Sequence, residues 1–377
     1  MYTRAGINRH VMSRLGLVEP RDSPMQALKD VLLLDAGSLI NAYYALSLRT
    51  KAFDAAAFTK ALQASPRAAR LPGLKGAVQA VPRELMPYVY SVTRDEREQK
   101  AQSLLKAWGI GRDEYERMGA AILAALGDRE KTLAQLKNSL PPGTSRDVTK
   151  GRGRGRERST SAAIVAQALW TKWELLRGGI GRDPAEDPGR YSTFERRFDK
   201  MPPKAGKEES LAKLAGAYVD RYGPVSAADL AWWLGIRPED AGKLLGRLDN
   251  AEEAQVEGLE GPLYVSKGFT PEKPGPLPVI FVGADDPYVK AYADRRRFIP
   301  AGYEGAALTR FGESAPAVLI EGEMRGVWGL KGDECAVEMF EGTAFDERKV
   351  ETVAIRAGWF FNGVNVDVTV STQSITK

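Results

Sequence analysis

The chemistry open to this chain is limited by its single histidine, His10, and its single cysteine, Cys335. One cysteine excludes an internal disulfide and a thiolate zinc site, and one histidine excludes an HExxH metal motif. A Ser-His-Asp triad would require His10 itself, and the chain has no GxSxG nucleophile motif. Acid–base catalysis would therefore fall to carboxylates, lysines, tyrosines, or amides that polarise water.

The densest basic run is KGRGRGRER at residues 150–158. Its glycines free the backbone, so Arg152, Arg154 and Arg156 can each reach a phosphate. Each such contact would release about one counterion from DNA. A flexible, solvated loop is the alternative interpretation, and we favour phosphate contact because a recognition-type helix is expected to follow.

Two smaller basic clusters lie further along the chain. Arg190, Arg196 and Arg197 interleave with Tyr191 and Phe194, which suits backbone contact with stacking. The same pattern also fits a wing strand with one buried face, and both interpretations stay open. Arg295 opens the triplet RRR as a third candidate contact, for which the alternative is a surface ion pair with Asp294.

The elements that would position these residues are clearest between residues 211 and 265. LAKLAGAYVDRY repeats apolar residues at helical spacing, and Gly223-Pro224 ends that helix. Ser226 and Asp229 form a capping-box pair for a second helix, and Pro238 suits the first turn of a third. Two short apolar runs around a glycine-rich turn follow. Three helices and a two-stranded wing indicate a winged helix-turn-helix, whose third helix usually enters a DNA major groove.

Looser copies of this pattern predict two earlier winged-helix units. In the second, residues 159–179 are expected to form one long helix, followed by a wing from residues 179–182 that returns through residues 190–194. From residue 279 onward the pattern changes to short strand candidates. These are residues 279–282, 317–320, 326–330, 336–340, 350–354 and 364–370. The predicted fold is α+β, with winged-helix units at residues 1–105, 106–205 and 206–270 and a C-terminal antiparallel β domain at residues 271–377.

Charge is distributed unevenly along the chain. Residues 1–250 carry 41 basic and 29 acidic side chains, whereas residues 251–377 carry 13 basic and 20 acidic ones. A basic body fits a polyanionic partner. No apolar run approaches the ~20 residues of a membrane span and the N-terminus lacks a signal-peptide core, so a cytoplasmic location is expected, nucleoid-associated in a bacterium.

Four segments of this sequence resemble segments of one protein family, and they occur along the chain in the same order as in that family. RYGPVSAADLAWWLGI, DDPYVKAYADRRRF, GEMRGVWGLKGDECAVEMF and LKGAVQAVPREL resemble parts of the AlkZ/YcaQ-like DNA glycosylases, a tandem winged-helix group. The resemblance covers residues 10 to 345. It implies three winged helices around a concave basic surface, excision of alkylated or crosslinked purines from double-stranded DNA, and no metal or organic cofactor. Arg49 and Lys75 join the candidate DNA contacts on this basis. A monomer is expected.

The family's first unit carries a Gln-x-Gln or Gln-x-Asp motif after an apolar helix, and this chain departs from it. The corresponding stretch is VLLLDAGS at residues 31–38, without glutamine. If Asp35 aligns with the last motif position, Leu33 replaces the first glutamine. If Arg49 anchors the alignment, Asp35 replaces the first glutamine and Gly37 the second. Both alignments leave Asp35 as the one catalytic-type side chain.

Asp35 therefore has two interpretations. A carboxylate there could orient water or stabilise the positive charge that forms on the sugar as an N-glycosidic bond breaks. Alternatively, Asp35 is the N-cap of the next helix. Asn41, Tyr43 and Tyr44 could line the same cleft, although the aromatics are more typical of packing.

Three functions follow from these interpretations. The first is a DNA repair glycosylase, a hydrolase that uses Asp35. The second is a catalytically degenerate DNA-binding protein that senses lesions or regulates transcription. The third is a protein-interaction scaffold, for which DNA binding would show a flat salt dependence.

Overall fold

The computed structural model describes residues 1–374 except 152, 179–188, 203–204, 274 and 311, and leaves aside the side chains at 60, 61, 63, 64 and 154. Internal contacts divide the chain into two compact units, Met1–Phe53 with Ala212–Lys377 and Asp54–Leu211. The first unit is therefore discontinuous in sequence. Both units combine helices and strands, which confirms the α+β class, while the four expected domain boundaries stay a prediction. None of the helices in the described part of the chain has the length and apolar character needed to span a membrane.

The unit Asp54–Leu211 consists mainly of helices with three paired hairpins. Its α-helices are Ala55–Ala64, Met86–Ala107, Arg112–Leu126, Leu133–Ser139, Ser161–Thr171 and Phe194–Phe198, and its 3-10 turns are Leu74–Gly76 and Gly153–Gly155. Its antiparallel pairs are Ala68–Pro72 with Val78–Pro82, Asp147–Lys150 with Glu157–Thr160, and Leu175–Gly178 with Arg190–Thr193. Ile122, Leu136, Val165 and Leu175 belong to the core that joins these elements.

The expected long helix at residues 159–179 is wrong. The helix ends at Thr171, because Trp173 adopts a positive φ of 71° that an α-helix does not allow. The Trp173 side chain is fully buried and its Nε1 donates to the Pro72 carbonyl at 2.8 Å. Residues 175–178 then form a strand of the expected wing hairpin, whereas residues 179–182 lie outside the described residues.

The discontinuous unit contains the remaining helices and a five-stranded sheet. Its helices are Arg4–Arg14, Pro24–Asp30, Leu39–Ser47, Ala227–Leu234, Pro238–Leu245, Pro287–Lys290, Glu304–Ala307 and Glu347–Asn362, with a 3-10 turn at Arg295–Arg297. The helix Lys207–Tyr222 begins before residue 212 and continues into this unit. Outside the main sheet lie the two-residue strand Leu34–Asp35 and the hairpin of Ala251–Ala254 with Leu263–Ser266.

Local signals predicted the helices between residues 211 and 245 well. Ser226 Oγ accepts from the Asp229 amide at 3.1 Å, and Asp229 Oδ2 accepts from the Ser226 amide at 2.9 Å, so the expected capping box is present. Gly235 then ends that helix in the left-handed conformation. The Asp229 carboxylate is buried and its Oδ1 also accepts from the Ala293 amide at 2.8 Å. One side chain thus starts a helix and fixes a distant loop.

The C-terminal sheet has the strand order Ile280–Val282, Ala317–Ile320, Glu323–Lys331, Glu334–Phe340 and Asp367–Gln373. The first four strands pair antiparallel, as expected, and the last pairs parallel to Glu334–Phe340. The expected strand at residues 350–354 is wrong, because these residues lie in the helix Glu347–Asn362. Val350, Ala354 and Ala357 are buried at the four- and three-residue spacing of a helix face.

Asp229→Ala should destabilise the protein more than loss of an ordinary cap. The substitution removes a buried acceptor and leaves the Ser226 and Ala293 amides without it, so we expect a loss of about 2–4 kcal/mol in the free energy of unfolding. Urea denaturation followed by circular dichroism measures this. Asp240→Ala removes an exposed carboxylate paired with Arg237 and should change the free energy of unfolding much less. Equal losses would contradict the role given to Asp229.

Candidate active site

An open pocket of about 540 Å³ lies in the discontinuous unit. The start of the helix Leu39–Ser47 supplies Ser38 and Asn41, and the segment after the strand Ile280–Val282 supplies Asp285 and Lys290. Glu313 lies on the wall formed by Thr309 and residues 313–316, and Asp35 lies on the wall before Ser38. The pocket has the size of a small-molecule or nucleobase site and gathers several ionisable groups.

Asp35 is fixed in this pocket by two donors. Its Oδ1 accepts from the Gly37 amide at 2.9 Å and its Oδ2 accepts from Lys290 Nζ at 3.0 Å, with 35% of the side chain exposed. The N-cap interpretation is wrong, because the helix begins at Leu39 with Ser38 as its N-cap residue. A carboxylate accepts up to about four hydrogen bonds, so Asp35 can also orient a water or ligand.

Lys290 bridges two carboxylates. Its Nζ also donates to Asp285 Oδ2 at 2.9 Å. Burial opposes protonation of Lys290, but the hydrogen bonds and negative charges of Asp285 and Asp35 outweigh burial and raise its pKa. Because the shift is upward from a value already above 10, Lys290 is an ammonium ion at neutral pH. Asp285 is held in turn, since its Oδ1 accepts from the Ser314 amide at 2.9 Å.

A buried ion pair supports this arrangement from behind. Arg49 Nη1 and Nη2 donate to the two Asp286 carboxylate oxygens at 2.9 and 2.6 Å, and both side chains are 0% exposed. Asp286 Oδ1 also accepts from the Tyr288 amide at 2.9 Å and caps the helix Pro287–Lys290. The pair therefore fixes the start of the helix that carries Lys290.

The structure corrects the expectation that Arg49 contacts DNA. A guanidinium with no exposed surface and a bidentate carboxylate partner cannot reach a phosphate. Tyr43 and Tyr44 are 2% and 3% exposed, and the Tyr44 hydroxyl donates to the Phe281 carbonyl at 2.7 Å, so both tyrosines pack in the interior. Asn41 does line the pocket, as expected.

Most of the other candidate DNA contacts belong to the unit Asp54–Leu211. Lys75, Arg156, Arg190 and Arg196 are exposed there. Arg197 is half-buried, and burial lowers its pKa to about 10, so it is still charged at neutral pH. Arg152 lies outside the described residues, as does the side chain of Arg154. Arg295 belongs to the other unit and is only 6% exposed, so it is not part of an exposed basic surface.

Sequence reasoning missed Lys290 and Asp285, although it had singled out the segment DDPYVKAYADRRRF that contains both. The useful signal was Asp286-Pro287, which is typical of a helix start, with one adjacent acid, Asp285, before it and a lysine one turn later. Across the described residues, no group of three or more His, Cys, Asp or Glu side chains is placed to hold a metal ion.

Comparison with known proteins gives a family and a fold. A family model described as DNA glycosylase AlkZ-like matches residues 28–356, and the chain belongs to this family. The structure is similar to that of Streptomyces sahachiroi DNA glycosylase AlkZ, with a TM-score of 0.72, 16% sequence identity, and coverage of 98% of this chain and 100% of that chain. No curated protein sequence matched significantly.

Removing one member of the buried ion pair should be severe. Arg49→Ala leaves the Asp286 carboxylate buried without its partner, so we expect a loss of about 3–5 kcal/mol in the free energy of unfolding. The control is Lys51→Ala, because Lys51 and Asp22 form a pair that is 66% and 82% exposed and contributes little to stability. Chemical denaturation of both variants measures the contrast. A loss for Arg49→Ala no larger than that of the control would contradict a supporting role for the pair.

Proposed function

We propose that this protein hydrolyses the N-glycosidic bond of alkylated or crosslinked purines in double-stranded DNA, with Asp35 as the catalytic residue. One observation carries the proposal: Asp35 is the carboxylate fixed by the Gly37 amide and Lys290 at the wall of an open pocket. Membership in the DNA glycosylase AlkZ-like family supports the reaction class and the DNA substrate.

The reaction requires little acid catalysis. A water oxygen bonds to C1′ of the sugar while the bond from C1′ to the base nitrogen breaks, and the electron pair of that bond leaves with the base. An N7-alkylated purine carries a positive charge, which this electron pair neutralises. Asp35 would orient the water, accept its proton, and stabilise the positive charge that builds on the sugar.

The charge of the pocket favours a cationic base. Asp35, Asp285, Asp286 and Glu313 are lining carboxylates, whereas Lys290 is the lining cation among the described residues. Arg49 neutralises Asp286 from behind, which leaves an excess of negative charge. A cationic purine would be attracted to such a pocket more strongly than a neutral one.

The altered motif predicts slow catalysis. Leu33 is 6% exposed and packs in the interior, so it presents no polar group in place of a glutamine. Gly37 is exposed but offers only its backbone amide, which already donates to Asp35. In either alignment, Asp35 would act without the side-chain amide that a glutamine of the family motif would supply.

A second candidate function is a catalytically degenerate DNA-binding protein. The ion pair between Asp35 and Lys290 favours it, because an ammonium 3.0 Å from the carboxylate reduces the stabilisation that Asp35 can offer to a sugar cation. This protein would bind lesions in the same pocket without turning them over.

DNA binding in both cases would use three winged-helix units, at residues 1–105, 106–205 and 206–270, followed by the β domain at residues 271–377. Lys75, Arg156, Arg190 and Arg196 are exposed cations that suit phosphate contact, together with Arg152, Arg154 and Arg197 from the same basic segments.

Asp35→Asn should lower the single-turnover rate of base release about 10²–10⁴-fold on duplex DNA that contains one N7-methylguanine, the range typical of loss of a general base. Heating the products in alkali and resolving them on a gel measures abasic sites. Asp22→Asn is the matched control, because Asp22 is also paired with a lysine but is 82% exposed. Equal rates for wild type and Asp35→Asn would remove Asp35 as the catalytic residue. No product from wild type, with salt-dependent duplex binding retained, would indicate the degenerate binder.

The product should be an intact abasic site without strand cleavage. A lysine cuts the strand only after its neutral amine attacks C1′ and forms a Schiff base, and a neutral amine at pH 7 requires a lowered lysine pKa. The pKa of Lys290 is raised instead. Borohydride should therefore trap no covalent complex between the protein and DNA during base release. A trapped complex that disappears in Lys290→Met would contradict this assignment.

A further inference from the structure

A second, smaller pocket of about 260 Å³ lies in the same unit as Asp35. Its lining includes Trp232 and Ile299, and its charged lining residues are the cations Arg295 and Arg296 and the carboxylates Asp294 and Glu304. The two pockets share one segment of chain, since Leu308 and Gly312 line the smaller pocket while Thr309 and Glu313 line the larger one. Trp232 Nε1 donates to the Lys290 carbonyl at 2.8 Å, which fixes the smaller pocket beside the lysine that holds Asp35.

Arg295 is the unusual residue of this pocket. Its side chain lines the pocket although the residue is 6% exposed, and its Nε has no hydrogen-bond partner. Within the described residues, no carboxylate lies within 4 Å of the Arg295 guanidinium, whose carbon is 5.1 Å from the Trp232 ring. The adjacent carboxylate of Asp294 is engaged by Arg296 Nε and Nη2 at 2.8 and 2.7 Å.

The other two buried arginines of the unit have hydrogen-bond partners at their terminal nitrogens, although their Nε atoms, like that of Arg295, have none. Arg49 has its bidentate carboxylate, and Arg297 donates to the Pro224 carbonyl at 3.1 Å. Burying an unpaired cation is unfavourable, because the cation loses its hydration without a compensating hydrogen bond. Burial accordingly lowers the pKa of Arg295, although the negative charge of Asp285 acts in the opposite direction and raises it. An anion in the pocket would remove this cost.

The size and the lining chemistry of the smaller pocket limit the kind of anion that it can bind. The pocket has about half the volume of the one at Asp35, which suits a single compact group rather than a nucleoside. Arginine presents a planar fork of donors that matches the oxygens of a phosphate in a bidentate way. The Trp232 ring and the apolar side chains of Ile299 and Leu308 border that contact, and an apolar border strengthens a charged hydrogen bond.

We propose that the Arg295 pocket binds a phosphate group, and that this phosphate belongs to the DNA strand whose nucleotide occupies the Asp35 pocket. The assignment to DNA rests on the proposed function, whereas the phosphate site itself does not. Anchoring a backbone phosphate beside Lys290 would fix the position of the sugar relative to Asp35.

The test compares Arg295→Met with wild type in two measurements. The first is thermal unfolding in inorganic phosphate and in chloride at equal ionic strength, where phosphate should stabilise wild type and not the variant. The second is the salt dependence of duplex binding. Loss of one phosphate contact should reduce the log–log slope by about 0.9, so the affinity advantage of wild type should shrink about 3.5-fold between about 50 and 200 mM salt.

Arg356→Met is the matched control, because Arg356 is exposed on the helix Glu347–Asn362 and its loss changes the net charge equally. It should leave the phosphate stabilisation intact. Arg295→Gln repeats both measurements if the methionine variant does not fold. A structural role for Arg295 predicts that its replacement destabilises the protein in chloride, whereas an unpaired buried cation predicts equal or greater stability.

The outcomes separate this inference from the proposed function. Phosphate stabilisation that depends on Arg295, with an unchanged DNA slope, would retain the site and overturn its assignment to the DNA strand. If wild type does not bind DNA, the proposed function fails while the phosphate measurement still decides the site. No phosphate effect and no change of slope would overturn the inference entirely.

Discussion

The buried pair of Arg49 and Asp286 is the interaction on which the candidate site depends. It joins the end of the helix Leu39–Ser47 to the loop after the strand Ile280–Val282, across 237 residues of sequence. Because Asp286 also caps the helix Pro287–Lys290, the same carboxylate sets where Lys290 lies. A buried pair of this kind contributes less to net stability than to the selection of one arrangement, since each charge is costly without the other.

Charge balance links this support to the chemistry of the pocket. The protonated Lys290 compensates part of the repulsion between Asp35 and Asp285, which lets two carboxylates face one open pocket. Such a site attracts a cation yet holds its candidate catalytic carboxylate, Asp35, by an ion pair. Lys290 therefore affects both interpretations of the protein, because it positions Asp35 for a water and also weakens the charge that Asp35 presents.

Local signals in the sequence predicted much of the fold but little of the site. The capping box of Ser226 and Asp229 was recognisable because it involves residues three apart. The helix Glu347–Asn362 was missed because Val350 and Thr352 favour strands, while burial on one helix face decided the outcome. Asp35 was found, but its partner Lys290 is 255 residues away. Arg49 was expected to contact DNA because of the family resemblance. Its buried partner Asp286 is 237 residues away, and spacing alone gives no sign of such a pair.

Because the discontinuous unit is built from two distant segments of sequence, it cannot complete its fold until most of the chain has been synthesised. Residues 1–53 leave the ribosome long before the segments that cover them, and the hydrogen bond from Tyr222 Oη to the Val31 carbonyl and the one from Tyr44 Oη to the Phe281 carbonyl close late. At about 5–20 residues per second, the 255 residues between Asp35 and Lys290 take roughly 13–50 s to translate. The apolar run before Asp35 is thus a nascent-chain segment without its native cover during that interval, and its exposed leucines favour aggregation until the later segments are complete.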